Sequence, residues 1–542
     1  MEEGSALDPL RSKAFLVLWI ATVVSNVGTW MQNAAAGWLM TGLTQDAFIV
    51  SMVQVATMLP VVLLGLPAGA LADIIDRRKL LIGVNVALTA IVAVLAVLVS
   101  LGQVNPISLL AFTALAGAAS ALIAPSWQAI VPSLVPRRDL QAAISLNSVG
   151  INISRALGPA LAGLLIGIIG LSAPFYVNAI TTLGVIAALI WWKPAERPAR
   201  RLPAEGFSHA LGLGLRHARH NPHLRATLVR AAGFFVFASA YWALLPLVAR
   251  DQIAGGPQLY GLLLGTIGVG AVSGAFLLPR LKTMLGPDRL VVVATCGTAL
   301  ALVLFGLAQS PVVAFVASLI AGLSWIAVLA PINVSAQVGL PSWIKGRGLS
   351  LFATVQFGGM AAGSALWGQV AKLYGLPATH FVAAAGALIA IPLLWRWKLH
   401  TGAALDLTPS MHWPAPVATS EIQPDRGPVQ ITIEYIIDPA ERAEFLKAIG
   451  EFRAERLRDG AYDWAVYEDS ALPSSMVETF LVSSWLEHQR QHERVTQADH
   501  DVQERVRRFH KGVEPPVVRH LISARPDDLD HVASGKLSRH KG

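Results

Sequence analysis

The chain has 542 residues, 54% of them hydrophobic and only 14% charged, and it carries a net charge of +8. A soluble globular domain has about 25% charged residues, so a wholly soluble architecture is excluded. Of 34 acidic residues, 23 follow residue 400, which divides the chain into a long apolar region and a polar tail.

A helix that crosses a bilayer needs about 20 mostly apolar residues. The first half offers six such stretches, at about 14–40, 47–72, 80–101, 106–134, 140–170 and 173–192. The second offers another six, at about 228–249, 258–280, 289–309, 311–339, 346–373 and 379–397. The basic connections Arg77-Arg78-Lys79, Arg137-Arg138, Lys193 to Arg230, Arg280-Leu281-Lys282, Lys345-Gly346-Arg347 and Arg396-Trp397-Lys398 all fall on one side. Four of the opposite connections lack lysine and arginine, and Arg250 and Lys372 are the basic residues placed on that side. The bias predicts an inner-membrane protein with both termini and the 193–227 loop in the cytoplasm. It also accounts for the positive net charge without nucleic acid. The single cysteine, Cys296, lies in an apolar stretch, which excludes disulfides, iron–sulfur clusters and cysteine zinc sites. No metal or cofactor is expected.

The two halves echo one another at an offset of about 205 positions. Leu157-Gly158-Pro159-Ala160-Leu161-Ala162-Gly163 corresponds to Ala362-Gly363-Ser364-Ala365-Leu366-Trp367-Gly368. Upstream, Ala124-Pro125 with Val135-Pro136 corresponds to Ala330-Pro331 with Leu340-Pro341. Duplicated hydrophobic units place a substrate path at the interface between halves. Gly158, Pro159, Gly163, Gly363 and Gly368 are expected at packing and hinge positions, where small residues let helices approach.

One ionisable residue lies clearly at mid-span. Arg155 is about halfway along its stretch, and Ser145, Ser148, Asn152 and Arg155 recur at helical steps on one face. The second-half equivalents of Ser148, Asn152 and Arg155 are Ala353, Phe357 and Met360, so the charge is not part of the repeated scaffold. An intramembrane arginine is expensive, and is read either as a ligand for a substrate anion or as a cap and glue beside the Gly158-Pro159 kink. A second polar stripe, Thr22, Ser25, Asn26, Thr29, Gln32 and Asn33, runs along the first span. Tyr241, Asn333 and Gln356 are further candidates to line the same path. Aspartate and glutamate are absent from mid-span positions.

The loop Gly69-Ala70-Leu71-Ala72-Asp73-Ile74-Ile75-Asp76-Arg77-Arg78-Lys79 resembles the signature loop of the major facilitator superfamily. Ser25 to Gln32, Asn152-x-x-Arg155-x-x-Gly158-Pro159 and Pro341 to Arg347 extend that resemblance to the enterobactin exporter-like, transmembrane secretion effector branch. Ile74 and Asp76 depart from the usual basic residue and glycine of the loop. The resemblance implies a secondary transporter with two six-helix bundles working by alternating access, exporting small organic molecules and driven by protons. It implies that Asp73 latches the cytoplasmic gate, with Arg77 and Arg347 as nearby charges. Import on the same scaffold is an open alternative.

After a Pro- and Thr-rich linker at 400–428, the tail reads βαββαβ: a strand at Val429–Ile437, a helix at Pro439–Arg458, strands at Ala461–Glu468 and Met476–Ser483, a helix at Trp485–His510 and a strand at Pro516–Ile522. That is a ferredoxin-like α+β domain over 429–523, followed by a tail at 524–542 expected to be disordered. The domain resembles dimeric α/β barrels of the antibiotic-biosynthesis monooxygenase type, which implies homodimerisation. His488, His492, Asp499 and His500 are read as a hydrated helix face, and no catalytic residue is expected. A membrane-anchored enzyme in the tail is the alternative from another class. The complete expectation is an all-α membrane protein of two bundles, 1–192 and 228–399, with this small domain appended, acting on a small molecule in a lipid bilayer.

Overall fold

The computed structural model describes residues 7–193, 216–341, 343–400, 410, 422–423 and 425–524. The expected disordered tail and most of the linker and central loop therefore lie outside the described residues. The chain divides into two compact units. The first comprises Met1–Phe207, Ala226–Gln337 and Leu349–Thr401; the second comprises Ser208–Arg225, Val338–Gly348 and Gly402–Gly542.

The first unit is helical. Its helices are α1 Lys13–Leu43, α2 Ala47–Ile74, α3 Arg77–Ser100, α4 Pro106–Ile130, α5 Leu140–Ile168, α6 Ala173–Trp191, α7 Pro222–Leu247, α8 Pro257–Leu307, α9 Pro311–Val338, α10 Lys345–Tyr374 and α11 Leu376–Leu394. Short polar residues start several of them: Ser12, Asp46, Asp76 and Asn105 each accept a hydrogen bond from a first-turn amide, satisfying donors that a helix start leaves free. Side chains such as Leu63, Ile107, Val269 and Phe276 stand exposed, as a lipid-facing surface requires.

Among the described residues, eleven helices are long and apolar enough to cross a membrane, where twelve spans were expected. The difference is α8, a single 51-residue element with a non-helical residue, Gly286 (φ 70°, ψ 170°). Gly270 in its first arm abuts Leu319, and Gly297 in its second abuts Ser324, both on α9. In a straight helix these glycines would be about 40 Å apart, so the chain reverses near Gly286, a conformation that glycine adopts at little cost. The eighth and ninth expected stretches are the arms of this one element.

In the second unit, β1 Val429–Ile436, β2 Tyr462–Glu468, β3 Ser475–Val482 and β4 Val517–Ile522 form an antiparallel sheet in the order β2-β3-β1-β4. One face of β1 (Val429, Ile431, Ile433, Tyr435) is buried, against helix α12 Arg442–Arg458 and its neighbours. The expected helix 485–510 is instead two, α13 Trp485–Arg494 and α14 Gln497–Arg507. The break lies at Thr496, which shares a reciprocal capping box with Asp499; this pairing starts a new helix. Inside the sheet–helix layer Glu478 is fully buried. Arg456 Nε and Trp464 Nε1 donate to its Oε1 (3.1 and 2.9 Å), and Tyr435 Oη donates to Oε2 (3.2 Å), so both carboxylate oxygens are satisfied.

The same unit gathers Ser208–Arg225 and Val338–Gly348, which include the first turns of α7 and α10. Arg216 Nη1 donates to Gly460 O at 2.9 Å, and Asn221 Nδ2 donates to Gly339 O at 2.9 Å. The Trp343 ring lies edge-on to His217 at 5.6 Å and beneath the Arg494 guanidinium at 4.7 Å. Asn221 also accepts from the amides of His223 and Leu224, so it caps the start of α7.

Glu455 in α12 makes this unit sensitive to pH. Burial, then the nearby Asp499 charge, pushes its carboxyl from about 4.5 up to about 8. Below pH 4.5 folded and unfolded chains are both protonated there. Between 4.5 and 8 the unfolded chain ionises and the folded one does not, so stability is lost as pH rises through that window. Glu455→Gln is expected to raise the melting temperature at pH 8, with the gain fading at pH 5; an equal gain at both values would exclude the carboxyl charge as its cause. His217 and His488 act in the opposite direction. Burial pushes each down to about 3, so stability present above pH 6.5 is lost as pH falls toward 3.

Candidate functional site

Arg155 lies on α5, where the glycine-rich helix faces press closest. Gly158 sits against α1: a Cβ there would lie 2.5 Å from Trp30 Cβ and 2.9 Å from Val27 O. One turn further, Gly163 sits against α8, where a Cβ would meet Pro257 O at 2.6 Å and Gly261 Cα at 3.1 Å. The second half repeats both contacts. Gly363 of α10 abuts Val236 and Ser239 of α7, and Gly368 abuts Phe48 and Ser51 of α2. The echo in the sequence is thus an echo in packing, α5 on α1 and α8 matching α10 on α7 and α2. Sequence reasoning missed Gly261, Gly265 and Gly268, the α8 side of this seam, although their four- and three-residue spacing is the usual sign of close helix approach.

The Arg155 guanidinium lies over the Trp30 ring at 5.2 Å. Its Nε is buried, with no hydrogen-bond partner among the described residues. Tyr241 of α7, wholly buried, lies within electrostatic reach of that guanidinium. The Trp242 and Trp325 rings pack at 5.5 Å, and Trp242 packs on Tyr241 at 5.7 Å. An arginine at mid-span costs about 2.5–3.5 kcal/mol on insertion scales. A cation–π contact returns about 0.5–2 kcal/mol. The contact offsets part of that cost, and it sets a cation beside buried phenol and indole groups.

The first-span stripe divides between two surroundings. Thr29 Oγ1 donates to Ser25 O (3.1 Å) and to Asn178 Oδ1 (3.4 Å), and Asn178 Nδ2 donates to Gln32 Oε1 (2.5 Å). Thr29 and Gln32 thus join α1 to α6, while Asn26 and Asn33 are half-buried. Ser148 and Asn152 are exposed and bond back to Ile144 O and Ser148 O on their own helix. Asn333 Nδ2 donates to Leu329 O at 3.1 Å, and Gln356 is half-buried. Pro159 is buried beside Gly158.

Among the gating candidates, the Asp73 side chain lies outside the described residues. Arg77 Nη1 donates to Ala129 O at 3.0 Å, in the last turn of α4. Arg347 is half-buried within the segment Val338–Gly348. At the far end of the bundle, Lys372 of α10 donates to Asp46 Oδ2 at 2.7 Å, a bond that holds the Asp46 carboxyl below its usual range. Trp38 of α1 stacks on Tyr260 of α8 at 6.0 Å. First-half and second-half helices are therefore joined at the end that carries Asp46, Gly163, Tyr260 and Lys372.

A family model described as transmembrane secretion effector matches residues 4–527. The chain is 24% identical over 265 residues to the staphyloferrin A transporter of Staphylococcus aureus, covering 48% of this chain and 65% of that protein. It is 25% identical over 247 residues to macrolide efflux protein A of Streptococcus pyogenes, covering 45% and 60%. Against the multidrug efflux pump Tap of Mycobacterium tuberculosis it is 24% identical over 427 residues, covering 76% and 99%. The chain thus spans less than two thirds of the first two relatives and nearly all of the third. These relatives are named as transporters and efflux proteins, not as enzymes. Among solved structures, a mutant of the nucleoside transporter NupG superposes with a TM-score of 0.60 at 12% identity, covering 71% of this chain and 100% of that one. A bacterial homolog of the human lysosomal transporter Spinster superposes at 0.57 and 15% identity, covering 73% and 97%. These structures share the fold. The match over 4–527 decides the family: the chain belongs to the transmembrane secretion effectors, of the major facilitator type.

Proposed function

We propose that this protein is a secondary transporter of the bacterial inner membrane that exports small organic molecules, siderophore-like or drug-like, by alternating access. One observation carries the reading: Arg155, a cation at mid-span, lies over the Trp30 ring and within electrostatic reach of the buried Tyr241, with no partner for its Nε among the described residues. A guanidinium at mid-span selects a substrate with a carboxylate, phosphate or dense carbonyl oxygens, which Arg155 would hold in a two-pronged bond. Relatives named for staphyloferrin A transport and for macrolide and multidrug efflux support small organic cargo and export.

In this reading the two arms of α8 each cross the bilayer, giving twelve crossings in two related bundles, 1–192 and 228–399, with both termini cytoplasmic. The joined Asp46–Lys372 end faces outward, so the path opens toward the cytoplasm, where Asp73, Arg77 and Arg347 would close it in the opposite state. A proton gradient would drive export. The 429–523 domain, an α/β barrel of the monooxygenase-like type without its chemistry, would regulate transport through the segments that lead into α7 and α10. It would pair with a second copy through the sheet face bearing the half-exposed Val517 and Leu521.

The test compares extracellular and intracellular metabolites by mass spectrometry in cells lacking and cells expressing the protein. A compound retained without it and released with it is the expected result. Uptake that rises with expression would overturn export, and no change in any compound would overturn the transporter reading itself.

A further inference from the structure

His488 and His492 stand one turn apart on α13, on the same helix face. Their Nε2 atoms are 3.3 Å apart and their rings are perpendicular, with centroids at 4.8 Å. His520 comes from β4, where it pairs with Ile431. Directly opposed residues of an antiparallel pair project to the same side, so His520 shares the face of Ile431 that turns toward the helices. Its ring lies 4.7 Å from that of His488. One ring nitrogen from each of the three lies within 4.8 Å of the others. His488 is 2% exposed, so the hydrated-face expectation does not hold for it.

A hydrogen bond between neutral imidazoles accounts for the His488–His492 distance but assigns nothing to the third ring. A metal ion accounts for all three. Two nitrogens at 2.0–2.1 Å from a tetrahedral centre are about 3.3 Å apart, the spacing already present between His488 and His492. Bringing His520 to the same spacing takes a movement of about 1.5 Å, within the reach of a rotation of its half-buried side chain. Trp485 closes the apolar flank, 5.6 Å from His488 and 6.2 Å from His520.

We propose that His488, His492 and His520 form a binding site for one divalent first-row transition-metal ion in the tail domain. The donor set names the class: three imidazoles, with no thiolate or carboxylate in the group, suit zinc, copper, nickel or cobalt and not magnesium or calcium. A three-histidine site leaves a fourth position for water or an exogenous ligand. Burial favours the neutral, metal-binding form of the rings, pushing His488 down to about 3 and lowering His520. Binding would tie α13 to the edge strand β4, independently of what the membrane helices carry.

The experiment uses the full chain in detergent with an affinity tag free of histidine, stripped by chelator and re-equilibrated with Co²⁺ or Zn²⁺. Plasma mass spectrometry of the gel-filtered protein is expected to give one ion per chain, and the Co²⁺ form the intense visible bands of a four-coordinate site. His492→Gln and His520→Gln are each expected to weaken binding roughly tenfold or more; His500→Ala, outside the cluster, is expected to leave it unchanged. A wild-type chain that retains no ion, or gives a six-coordinate Co²⁺ spectrum, overturns the proposal whatever the variants do. Equal retention by well-folded His492→Gln and His520→Gln chains overturns it as well.

Discussion

Arg155→Ala is expected to cut transport of the exported compound by at least a hundredfold while leaving the chain inserted and no less stable. A hydrogen bond to a charged group contributes about 1.5–3 kcal/mol, and a two-pronged grip on a substrate anion would lose two. The same substitution removes a charge that costs about 2.5–3.5 kcal/mol at mid-span and gives up a single contact over Trp30. A purely structural arginine predicts the reverse: transport falling only as far as folded protein falls, with a lower melting temperature. Arg155→Lys keeps the charge but loses the planar fork, so it is expected to fall between alanine and wild type. Flux into inside-out vesicles and thermal melting of the same preparations separate the cases. Full transport by Arg155→Ala would remove this arginine from the substrate path.

How much of this was legible in the sequence depended on whether the signal was local. Hydropathy and charge bias mark the helices because each stretch must satisfy its own backbone in lipid. The duplication marks Gly158, Gly163, Gly363 and Gly368 because close approach excludes a side chain wherever it recurs. The reversal at Gly286 falls in the connection between the eighth and ninth stretches, where hydropathy and the basic residues Arg280 and Lys282 already place a turn. The capping pair Thr496 and Asp499 is readable, but it sits within an apparently continuous helical run. Tertiary facts were not readable at all. Thr29 and Gln32 look like path-lining residues on a helical wheel, and only the position of Asn178 on α6 assigns them to a helix contact. His488 looks hydrated until His520 arrives from a strand 32 residues away. The tail helices read as solvated because their charges are many, whereas Arg458 and Asp499 pair at 2.8 Å inside the domain.

Gly163→Ala is the second substitution expected to have a large effect, through the seam rather than the substrate. The added Cβ would lie 2.6 Å from Pro257 O and 3.1 Å from Gly261 Cα, and these are backbone atoms that cannot rotate away. Overpacking of this kind costs about 1–3 kcal/mol. Gly184→Ala on α6, where nothing lies within 4 Å, is the control and is expected to be neutral or slightly stabilising. If α5 and α8 part when the carrier turns over, the clash acts in this state and not in the opposite one. A cost of 1–3 kcal/mol would then shift the balance between the two by roughly five- to more than a hundredfold. The Asp46–Lys372 end would spend most of its time open, and a cysteine placed there, in a chain whose native Cys296 is replaced, would react faster with a membrane-impermeant thiol reagent. Gly368→Ala, packed against Phe48 and Ser51 on the equivalent seam, is expected to do the same. A lower melting temperature with no gain in reactivity would instead make these glycines packing positions of both states, and the seam between α5 and α8 would not be where the carrier opens.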